Sequence, residues 1–419
     1  MSFSLNEVFR GTGTKFRVFV QSPVLEGFGD PETIWVSSPM GSLQPGPSDA
    51  RMYSVLPLKK DPYGGESLPP FRGRCGQPVM PDINGHFDHV AVDDPGFKCT
   101  NMFGVVRRVL DVWETYLGGP INWHFASTHS RLELIPHVPW NNAHFGWGFM
   151  ECGQGKDDQG VERPFSLNFD VLAHETGHGI LFSLAGMPEA GRLTTAFRGF
   201  HEHASDVIAM ISALHFDSFL DHVLWVTKGD IYGTNVLSRI GELSNTRQIR
   251  LASNGTKMAD VISLATPASK ATGKQVHKLG QPLTGAVFDI MVQMFLRRLG
   301  WMGLLPRGYI DEMRLAARTG KLDEVDRTPI SDAYATSHDG FKSALADARD
   351  MMGLRLAETW RRLDANNFRY STLAETLLDV DFEFSGRKNQ ASIRNCFAWR
   401  GIRFRRRIDH TVTPVRLPI

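Results

Sequence analysis

The segment DVLAHETGHGI, residues 170–180, constrains this chain more than any other part of its sequence. His174 and His178 are four residues apart, which on an α-helix is about 400° of rotation, so both imidazoles leave the same helix face. Two neutral imidazoles at this spacing can bind one zinc ion, and Glu175 stands where a general base is needed. The alternative is an ordinary exposed helix with two solvated histidines. The pattern favours a zinc site.

Two glycines, Gly177 and Gly179, stand inside this predicted helix. Each costs about 1 kcal/mol relative to alanine in a helix interior. We therefore expect another backbone or a substrate to approach the helix closely at these positions. The flanking residues are apolar, as expected of a buried helix at the floor of a cleft: Phe169, Val171, Leu172, Ile180, Leu181 and Phe182.

A catalytic zinc site needs a third protein ligand and leaves a fourth position for water. The extended motif HExxHxxGxxH is excluded, because Leu181 and Leu184 occupy its glycine and histidine positions. The next predicted helix contains FHEHASDVIAM, in which Glu202 and Asp206 share one face. Glu202 can bind zinc while Asp206 accepts a hydrogen bond from the outer nitrogen of a ligand histidine.

At these residues the sequence resembles the thermolysin-like gluzincins, a family of zinc endopeptidases. HETGH is similar to the family's zinc-binding helix and HEHASD to its NEAISD segment. The resemblance implies His174, His178 and Glu202 as ligands of one catalytic zinc ion, with Asp206 orienting His174. It extends over about residues 98–402 through NNA, GDIY, IRLASN, KQVHKLGQPLTG and KNQASIRNCFAWRGI, in the family's order.

The resemblance also implies roles for residues outside the two helices. Asn142 and the carbonyl of Ala143 would bind the backbone of an extended substrate at a sheet edge. Arg250 would bind a substrate carbonyl next to the scissile bond. His277 would donate a hydrogen bond to the tetrahedral oxyanion.

The chain departs from the family's pattern at two places. Residues 179–201 contain no counterpart of the family's oxyanion-stabilising tyrosine, so His277 would act alone or Tyr232 would reach into the site. Asp170 matches one calcium-binding position, but Ala213 stands where the family has a glutamate. Dependence on calcium is therefore doubtful.

We expect an α+β fold with a two-lobed, thermolysin-like catalytic domain. The expected divisions are a small β-rich N-terminal extension (1–95), a mixed β/α N-lobe with the substrate strand and zinc helices (96–215), a helical C-lobe (216–402) and a basic tail (403–419). Local patterns predict helices over 98–117, 169–184 and 200–216 and a mostly helical chain beyond 280, with strands over 15–20, 33–37, 52–58, 121–125 and 132–135.

Charge and cysteine content exclude other classes. Lys+Arg total 46 and Asp+Glu 45, a net charge of +1, so no bulk field favours nucleic acid or a membrane as partner. The four cysteines form no CxxC pair and are too few for a disulfide scaffold. No signal peptide is recognisable, and the apolar stretches fall short of a membrane span. We expect cytoplasmic synthesis, with non-classical export left open; nothing indicates the oligomeric state.

Two functions from different classes fit these patterns. The first is a zinc endopeptidase acting on peptide or protein substrates, with Glu175 as general base. Val171 and Ile249 would line a pocket for an apolar side chain just after the cleaved bond. The second is a catalytically weak or inactive zinc-cleft protein that binds a peptide or protein partner. A structural zinc site would need His201 or His203 as a fourth ligand.

Overall fold

The computed structural model describes residues 4–64, 67–157, 159–244, 247–264 and 272–405. Over these residues the protein is a mixed α/β structure in which helices predominate. The helices are α1 (Leu5–Phe9), α2 (Phe97–Leu117), α3 (Phe169–Ala185), α4 (Thr195–Ala213), α5 (Asp217–Thr227), α6 (Met258–Val261), α7 (Gly273–Trp301), α8 (Arg307–Thr319), α9 (Thr328–Thr336), α10 (His338–Arg361), α11 (Tyr370–Ser385) and α12 (Gln390–Trp399).

The strands are short and are concentrated in the N-terminal half of the chain. They are β1 (Gly13–Val18), β2 (Glu32–Pro39), β3 (Met52–Ser54), β4 (Leu132–Ile135), β5 (Ala143–Phe145), β6 (Phe149–Cys152), β7 (Gln154–Lys156), β8 (Glu162–Pro164), β9 (Arg239–Ser244) and β10 (Arg247–Leu251). The mixture of helices and strands agrees with the expected fold class. The two-lobed arrangement and the domain boundaries stay predictions.

Most of the elements predicted from local patterns are present. The helix predicted over 98–117 is α2, which ends at Gly118 with φ 69°, a left-handed conformation that glycine adopts readily. The helix predicted over 169–184 is α3, and Asn168 begins it by accepting a hydrogen bond from the amide of Val171. These boundaries depend on capping residues next to the helix, which are readable in the sequence.

Three local predictions were wrong in detail. The strand predicted over 52–58 covers only β3, Met52–Ser54. The helix predicted to start at residue 200 starts at Thr195, because the Thr194 hydroxyl accepts a hydrogen bond from the Phe197 amide at 3.1 Å. The segment 121–125 is not a strand but leads into turns, with the Thr128 amide donating to the Phe125 carbonyl at 2.9 Å. Trp123 and Phe125 of this segment pack into the core from an irregular backbone. Their apolar side chains led to the prediction of a strand.

The N-terminal extension packs directly onto α2. Strands β1 and β2 form an antiparallel hairpin, and its apolar face joins the same hydrophobic core as the helices. Gly104 of α2 permits the close approach, since a Cβ there would lie 2.9 Å from Val18 Cγ1 and 3.0 Å from Phe16 Cβ. The first 95 residues therefore share their core with the rest of the chain.

A four-stranded sheet carries the region next to the site. Its order is β3-β4-β6-β5, with β3, β4 and β6 parallel and β5 antiparallel to β6 at one edge. One face, with Leu132, Leu134, Met150 and Cys152, belongs to the main core. Because β3 comes from the N-terminal extension, this sheet crosses the expected boundary at residue 95.

The other face of the sheet is covered by the chain around Tyr63. Two fully buried carboxylates lie there, one on β4 and one on β6. Glu133 accepts a hydrogen bond from the Tyr63 hydroxyl at 2.6 Å, and Glu151 pairs with Lys60 Nζ at 2.7 Å. Glu151 also contacts His144 Nε2 of β5 at 2.9 Å, so the extension supports the edge strand. Buried carboxylates of this kind are tolerated because they are paired and hydrogen-bonded.

Helix α4 packs between α3 and α7. Close approach depends on glycine at both contacts: a Cβ on Gly177 of α3 would lie 2.9 Å from Ser205 Cα, and one on Gly280 of α7 would lie 2.6 Å from the Gly199 carbonyl. Side chains on α3 and α4 are therefore brought into direct contact.

Helix α7 is long and apolar enough to cross a membrane, contrary to our expectation that the apolar stretches were too short. Of the most apolar 18-residue stretch of α7, 89% is buried inside the fold, as in the core helix of a globular protein. Helices α4 and α5 are long and apolar enough to cross a membrane only when they are taken together, and they are bent by 96° relative to each other.

Candidate metal centre

Helices α3 and α4 bring three ligand atoms together. His174 and His178 project from α3 and Glu202 from α4, and one ligand atom from each lies within 4.8 Å of the others. Glu202 Oε2 is 3.4 Å from His174 Nε2 and 3.9 Å from His178 Nε2. Over the described part of the chain, this is the group of residues that could hold a metal ion.

The donor set fits a zinc ion. Two imidazoles and a carboxylate are the protein ligands of many catalytic zinc sites, with a fourth position left open. Glu202 Oε2 is buried and has no hydrogen bond of acceptable geometry, although His277 Nδ1 lies 2.8 Å away. A buried carboxylate oxygen without a hydrogen bond is costly, and a cation between the three residues would satisfy it.

The two histidines differ in their electrostatic surroundings. Burial lowers the pKa of His178 to about 3, which keeps this ring in the neutral form that binds metals. Burial and Arg250 also oppose charge on His174, but the carboxylates of Asp206 and Glu202 outweigh them and raise its pKa to about 9. A proton and a metal ion therefore compete for the His174 ring.

Asp206 lies where the sequence predicts, beneath His174. Its Oδ1 atom is 2.9 Å from His174 Nδ1 and accepts a hydrogen bond from Arg250 Nε at 2.6 Å. The nitrogen of His174 that faces Glu202 is then Nε2. Burial opposes ionisation of Asp206, but the charge of Arg250 and the contact with His174 lower its pKa.

Arg250 and His277 complete one side of the centre. Arg250 comes from β10 and His277 from the first turns of α7. Arg250 Nη1 is 3.3 Å from His277 Nδ1, and that nitrogen is 2.8 Å from Glu202 Oε2. Arg250 Nη2 also lies 2.9 Å from His174 Nδ1, so these two side chains contact the ligand group directly.

Glu175 faces the edge strand instead of the ligand group. Its Oε2 atom accepts a hydrogen bond from the Phe145 amide at 2.9 Å. Burial raises the pKa of Glu175 to about 7, with the nearby charge of Glu202 adding to the effect. Its carboxylate can therefore exchange a proton near neutral pH.

Strand β5 offers a free backbone edge to the cleft. Among the described strands, only β6 pairs with it, through hydrogen bonds such as the Gly153 amide to the Asn142 carbonyl and the Gly146 amide to the Phe149 carbonyl. Backbone groups alternate along a strand, so those of Ala143 and Phe145 face away from β6. The bond from the Phe145 amide to Glu175 confirms this direction.

These residues line one cleft of about 520 Å³. Among the predicted site residues, those that line it are Asn142, Ala143, Val171, His174, Glu175, His178, Glu202, Arg250 and His277. Asp206 lies behind His174, and the side chain of Ile249 is outside the described residues. The structure therefore brings together the predicted residues that it describes.

The sequence analysis missed several residues of the cleft. An apolar wall beyond His178 comes from α3, the following loop and the start of α4: Phe182, Met187, Pro188, Leu193 and Phe197. His201 lines the same end. Phe145, next to the recognised NNA segment, was missed because its contribution is a backbone amide, which carries no signal in the sequence.

Tyr232 and His203, which the sequence analysis considered as alternatives, do not belong to the ligand group. Tyr232 is buried and does not line the cleft, so the prediction that it could reach in was wrong. His203 Nδ1 faces Thr284 Oγ1 at 3.2 Å and is not in the ligand group.

The close approach expected at the two glycines of α3 is confirmed. A Cβ on Gly177 would meet the backbone of α4 at Ser205, and one on Gly179 would lie 2.5 Å from the ring of Phe145. Glycine at both positions lets α4 and β5 approach α3 closely.

Replacing Gly177 with Ala should therefore push α4 away from α3. We expect the free energy of unfolding to fall by about 1–3 kcal/mol, the usual cost of overpacking, and zinc affinity to weaken because Glu202 moves. The control is Gly308→Ala on α8, where a Cβ meets no atom within 4 Å and the helix should become more stable. Denaturant unfolding and zinc titration measure both effects; equal behaviour of the two variants would contradict the expectation.

Asp170, at the position that resembles a calcium ligand, is already hydrogen-bonded through both oxygens. Gln21 Nε2 donates to Oδ1 at 2.8 Å, and the Gly241 amide donates to Oδ2 at 3.1 Å. Burial raises the pKa of Asp170 to about 6. An amide from the N-terminal extension thus occupies one side of this carboxylate.

We expect calcium to leave the thermal unfolding temperature unchanged, since Asp170 has protein donors. Replacing Gln21 with Ala should cost about 1–3 kcal/mol of unfolding free energy, because a buried carboxylate oxygen loses its donor. Gln159→Ala, at an exposed position, is the control. Unfolding monitored with calcium and with a calcium chelator makes the measurement; a calcium-dependent rise for the unaltered protein would disprove the first expectation.

No protein-family model matches the sequence, and no curated protein sequence matches it. Among the solved structures that match is the precursor of protealysin, a metalloproteinase from Serratia proteamaculans. It is 13% identical over 85% of this chain and 89% of that chain, with a TM-score of 0.45. At that score we infer neither fold nor function from the likeness.

Proposed function

We propose that this protein is a zinc-dependent endopeptidase of the thermolysin-like gluzincin type. The observation that carries the proposal is the convergence of His174, His178 and Glu202 within 4.8 Å, next to a free strand edge. Glu175 lies between the ligand group and that edge. A metal ligand group, a carboxylate base and a backbone-binding edge in one cleft are the parts that peptide hydrolysis requires.

His174, His178 and Glu202 would hold the zinc ion. When bound there, zinc would activate a water molecule and polarise the scissile carbonyl. Asp206 holds His174 in its orientation from behind, at 2.9 Å from Nδ1. Asp206 also accepts a hydrogen bond from Arg250 Nε. One carboxylate therefore orients both His174, a metal ligand, and Arg250, which would bind the substrate carbonyl.

Glu175 would act as the general base. It takes a proton from the attacking water and passes it to the leaving amine, which requires a carboxylate that can be charged and neutral in turn. Burial of Glu175 against β5 brings these two states close in energy near neutral pH.

Strand β5 would bind the substrate in an extended conformation. The backbone groups of Ala143 and Phe145 that face away from β6 can add the substrate as a further strand, with the exposed Asn142 side chain beside it. A substrate carbonyl would then accept the Phe145 amide hydrogen in place of Glu175. Substrate binding would thereby release the Glu175 carboxylate for catalysis.

Arg250 and His277 would stabilise the reacting carbonyl. Both stand beside the ligand group, where negative charge develops on the carbonyl oxygen as water attacks. Val171 supplies an apolar wall next to them, which supports a preference for an apolar side chain after the scissile bond. The proposal includes a two-lobed catalytic domain and a peptide or protein as the substrate.

The alternative is a catalytically weak or inactive zinc-cleft protein that binds a peptide or protein partner. It is favoured by the missing tyrosine, because residues 179–201 contain none and Tyr232 does not line the cleft. Oxyanion stabilisation would then depend on His277 and Arg250 alone.

Mass-spectrometric mapping of cleavage sites on a mixed peptide library tests the proposal. We expect cleavage within peptides, with apolar residues enriched just after the cut bond, that stops on addition of a zinc chelator and returns with zinc. Peptide binding without turnover would support the alternative. Turnover that a chelator does not affect would exclude a zinc mechanism.

A further inference from the structure

The N-terminal extension reaches the wall of the cleft at Gln21, whose side chain is held in one orientation. Gln21 is 1% exposed. Its Oε1 atom accepts a hydrogen bond from the Ser22 amide at 3.1 Å, and its Nε2 atom donates to Asp170 Oδ1 at 2.8 Å. Two residues earlier, the Phe19 amide donates to Asn101 Oδ1 of α2 at 2.9 Å. The donor that meets Asp170 is therefore fixed by its own segment and by α2.

The Asp170 carboxylate joins this donor to β9. Its second oxygen, Oδ2, accepts a hydrogen bond from the Gly241 amide at 3.1 Å. An ionised carboxylate only accepts hydrogen bonds, so the two donors together fix its orientation. Without Gln21, Oδ1 would be buried without this donor, which is costly, and the carboxylate would gain by turning away from Gly241.

Strand β9 carries this link to Arg250. It packs against α3 and pairs with β10, where Arg250 lies opposite Ile240. Gly241 directly follows Ile240, so the bond to Asp170 holds β9 one residue from the position that faces Arg250. The placement of β10 determines how far the Arg250 side chain reaches into the cleft, where its Nη2 atom lies 2.9 Å from His174 Nδ1.

Asp206 holds the side chain of Arg250 but not its backbone. Arg250 Nε donates to Asp206 Oδ1 at 2.6 Å, and Asp206 belongs to α4. A shift of β9 and β10 would therefore move the backbone of Arg250 while Asp206 stays beside His174. Substrate binding should suffer from such a shift, and the metal ligands on α3 and α4 should not.

From these contacts we infer that Gln21 is a positioning residue for substrate binding: it fixes the Asp170 carboxylate, which holds β9 and thereby places Arg250 of β10. The N-terminal extension then contributes to the substrate site without lying in it. The inference deepens the proposed function and rests on it for the role of Arg250.

Peptide hydrolysis by the full-length Gln21→Met variant tests this role. Methionine has nearly the length of glutamine but offers no donor to Asp170. We expect kcat/KM to fall by about 10–100-fold, since small displacements of a substrate-binding group have effects of this size. Zinc content, measured in the same samples, should stay at that of the unaltered protein.

The matched control is Gln390→Met on α12. Gln390 is also buried, and its Nε2 atom donates to the Leu378 carbonyl at 2.7 Å, among the C-terminal helices. This variant loses a buried hydrogen bond as Gln21→Met does, so both should be less stable in thermal unfolding. Only Gln21→Met should lose kcat/KM.

A second background shows whether Gln21 acts through Arg250. When Arg250→Ala has already removed the guanidinium, adding Gln21→Met should change kcat/KM by less than about twofold, because residues that act through one another are not additive. The loss of thermal stability caused by Gln21→Met should persist in that background.

Hydrogen exchange of the metal-free protein, followed by mass spectrometry, measures the coupling without any activity. We expect Gln21→Met to speed amide exchange in peptides that cover β9 and β10, by about tenfold or more, and Gln390→Met to leave exchange there unchanged. The Gly241 amide should be among those affected, since its acceptor is Asp170.

Three results would overturn the inference while leaving the proposed function intact. The first is an unaltered kcat/KM in Gln21→Met, and the second is an equal fall in Gln390→Met. The third is a full further loss when Gln21→Met is added to Arg250→Ala. If the unaltered protein hydrolyses no peptide, the proposed function fails; unchanged exchange of β9 and β10 in Gln21→Met would separately disprove the coupling.

Discussion

Replacing Glu175 with Gln should reduce peptide hydrolysis by about 100–10,000-fold, the range typical for loss of a general base. Glutamine cannot take the proton of the attacking water, although it has nearly the same shape. Its amide oxygen can still accept the hydrogen bond from the Phe145 amide, so the cleft should keep its structure. Zinc should stay bound, because Glu175 is not in the ligand group.

Single-turnover cleavage of a quenched peptide, with zinc content measured in parallel, checks this expectation. Glu312→Gln, at an exposed position on α8, is the matched control and should keep full activity. Full activity in the Glu175→Gln variant would show that another group moves the proton. Loss of zinc from that variant would show that Glu175 supports the metal.

Replacing Glu202 with Ala should remove zinc binding and activity together. The variant loses one of three protein ligands, and two neutral imidazoles hold a divalent cation far less tightly than a set that includes a carboxylate. We expect zinc affinity to fall by more than the roughly 10–100-fold typical of residues behind the ligands. Hydrolysis should fall with zinc occupancy.

Equilibrium dialysis followed by metal analysis measures the loss of zinc. Glu312→Ala is the control and should bind one zinc ion per chain as the unaltered protein does. The two glutamate variants then separate the functions of the centre: Glu175→Gln should keep the metal without turnover, and Glu202→Ala should keep neither. Zinc retained in Glu202→Ala would mean that another group, such as His277, completes the site.

The local part of the site was predictable from the sequence. His174 and His178 depend only on helical spacing, and α3 places both in the ligand group as that spacing requires. Glu202 and Asp206 were also recognised from spacing and resemblance, and the packing of α4 on α3 brings them to the histidines. Glycine at 177 had already indicated a close neighbour.

Other parts depend on contacts between distant residues or on the backbone. Gln21 meets Asp170 across 149 positions in the sequence, and no local pattern links them. The Phe145 amide has no side-chain signature. His201 was considered only as a fourth ligand of a structural zinc site, because the sequence places it next to Glu202 but does not reveal that its ring stacks on His178. Tertiary packing determines all three.

The pairing of β3 with β4 makes the N-terminal extension a part of the sheet that carries the cleft. The N-terminal extension supplies β3 at one edge of this sheet, whose opposite edge is β5. It also supplies the Gln21 side-chain amide, which donates a hydrogen bond to Asp170. We therefore expect proteolytic removal of this stretch to destabilise the cleft, because the sheet loses a strand and Asp170 loses a donor.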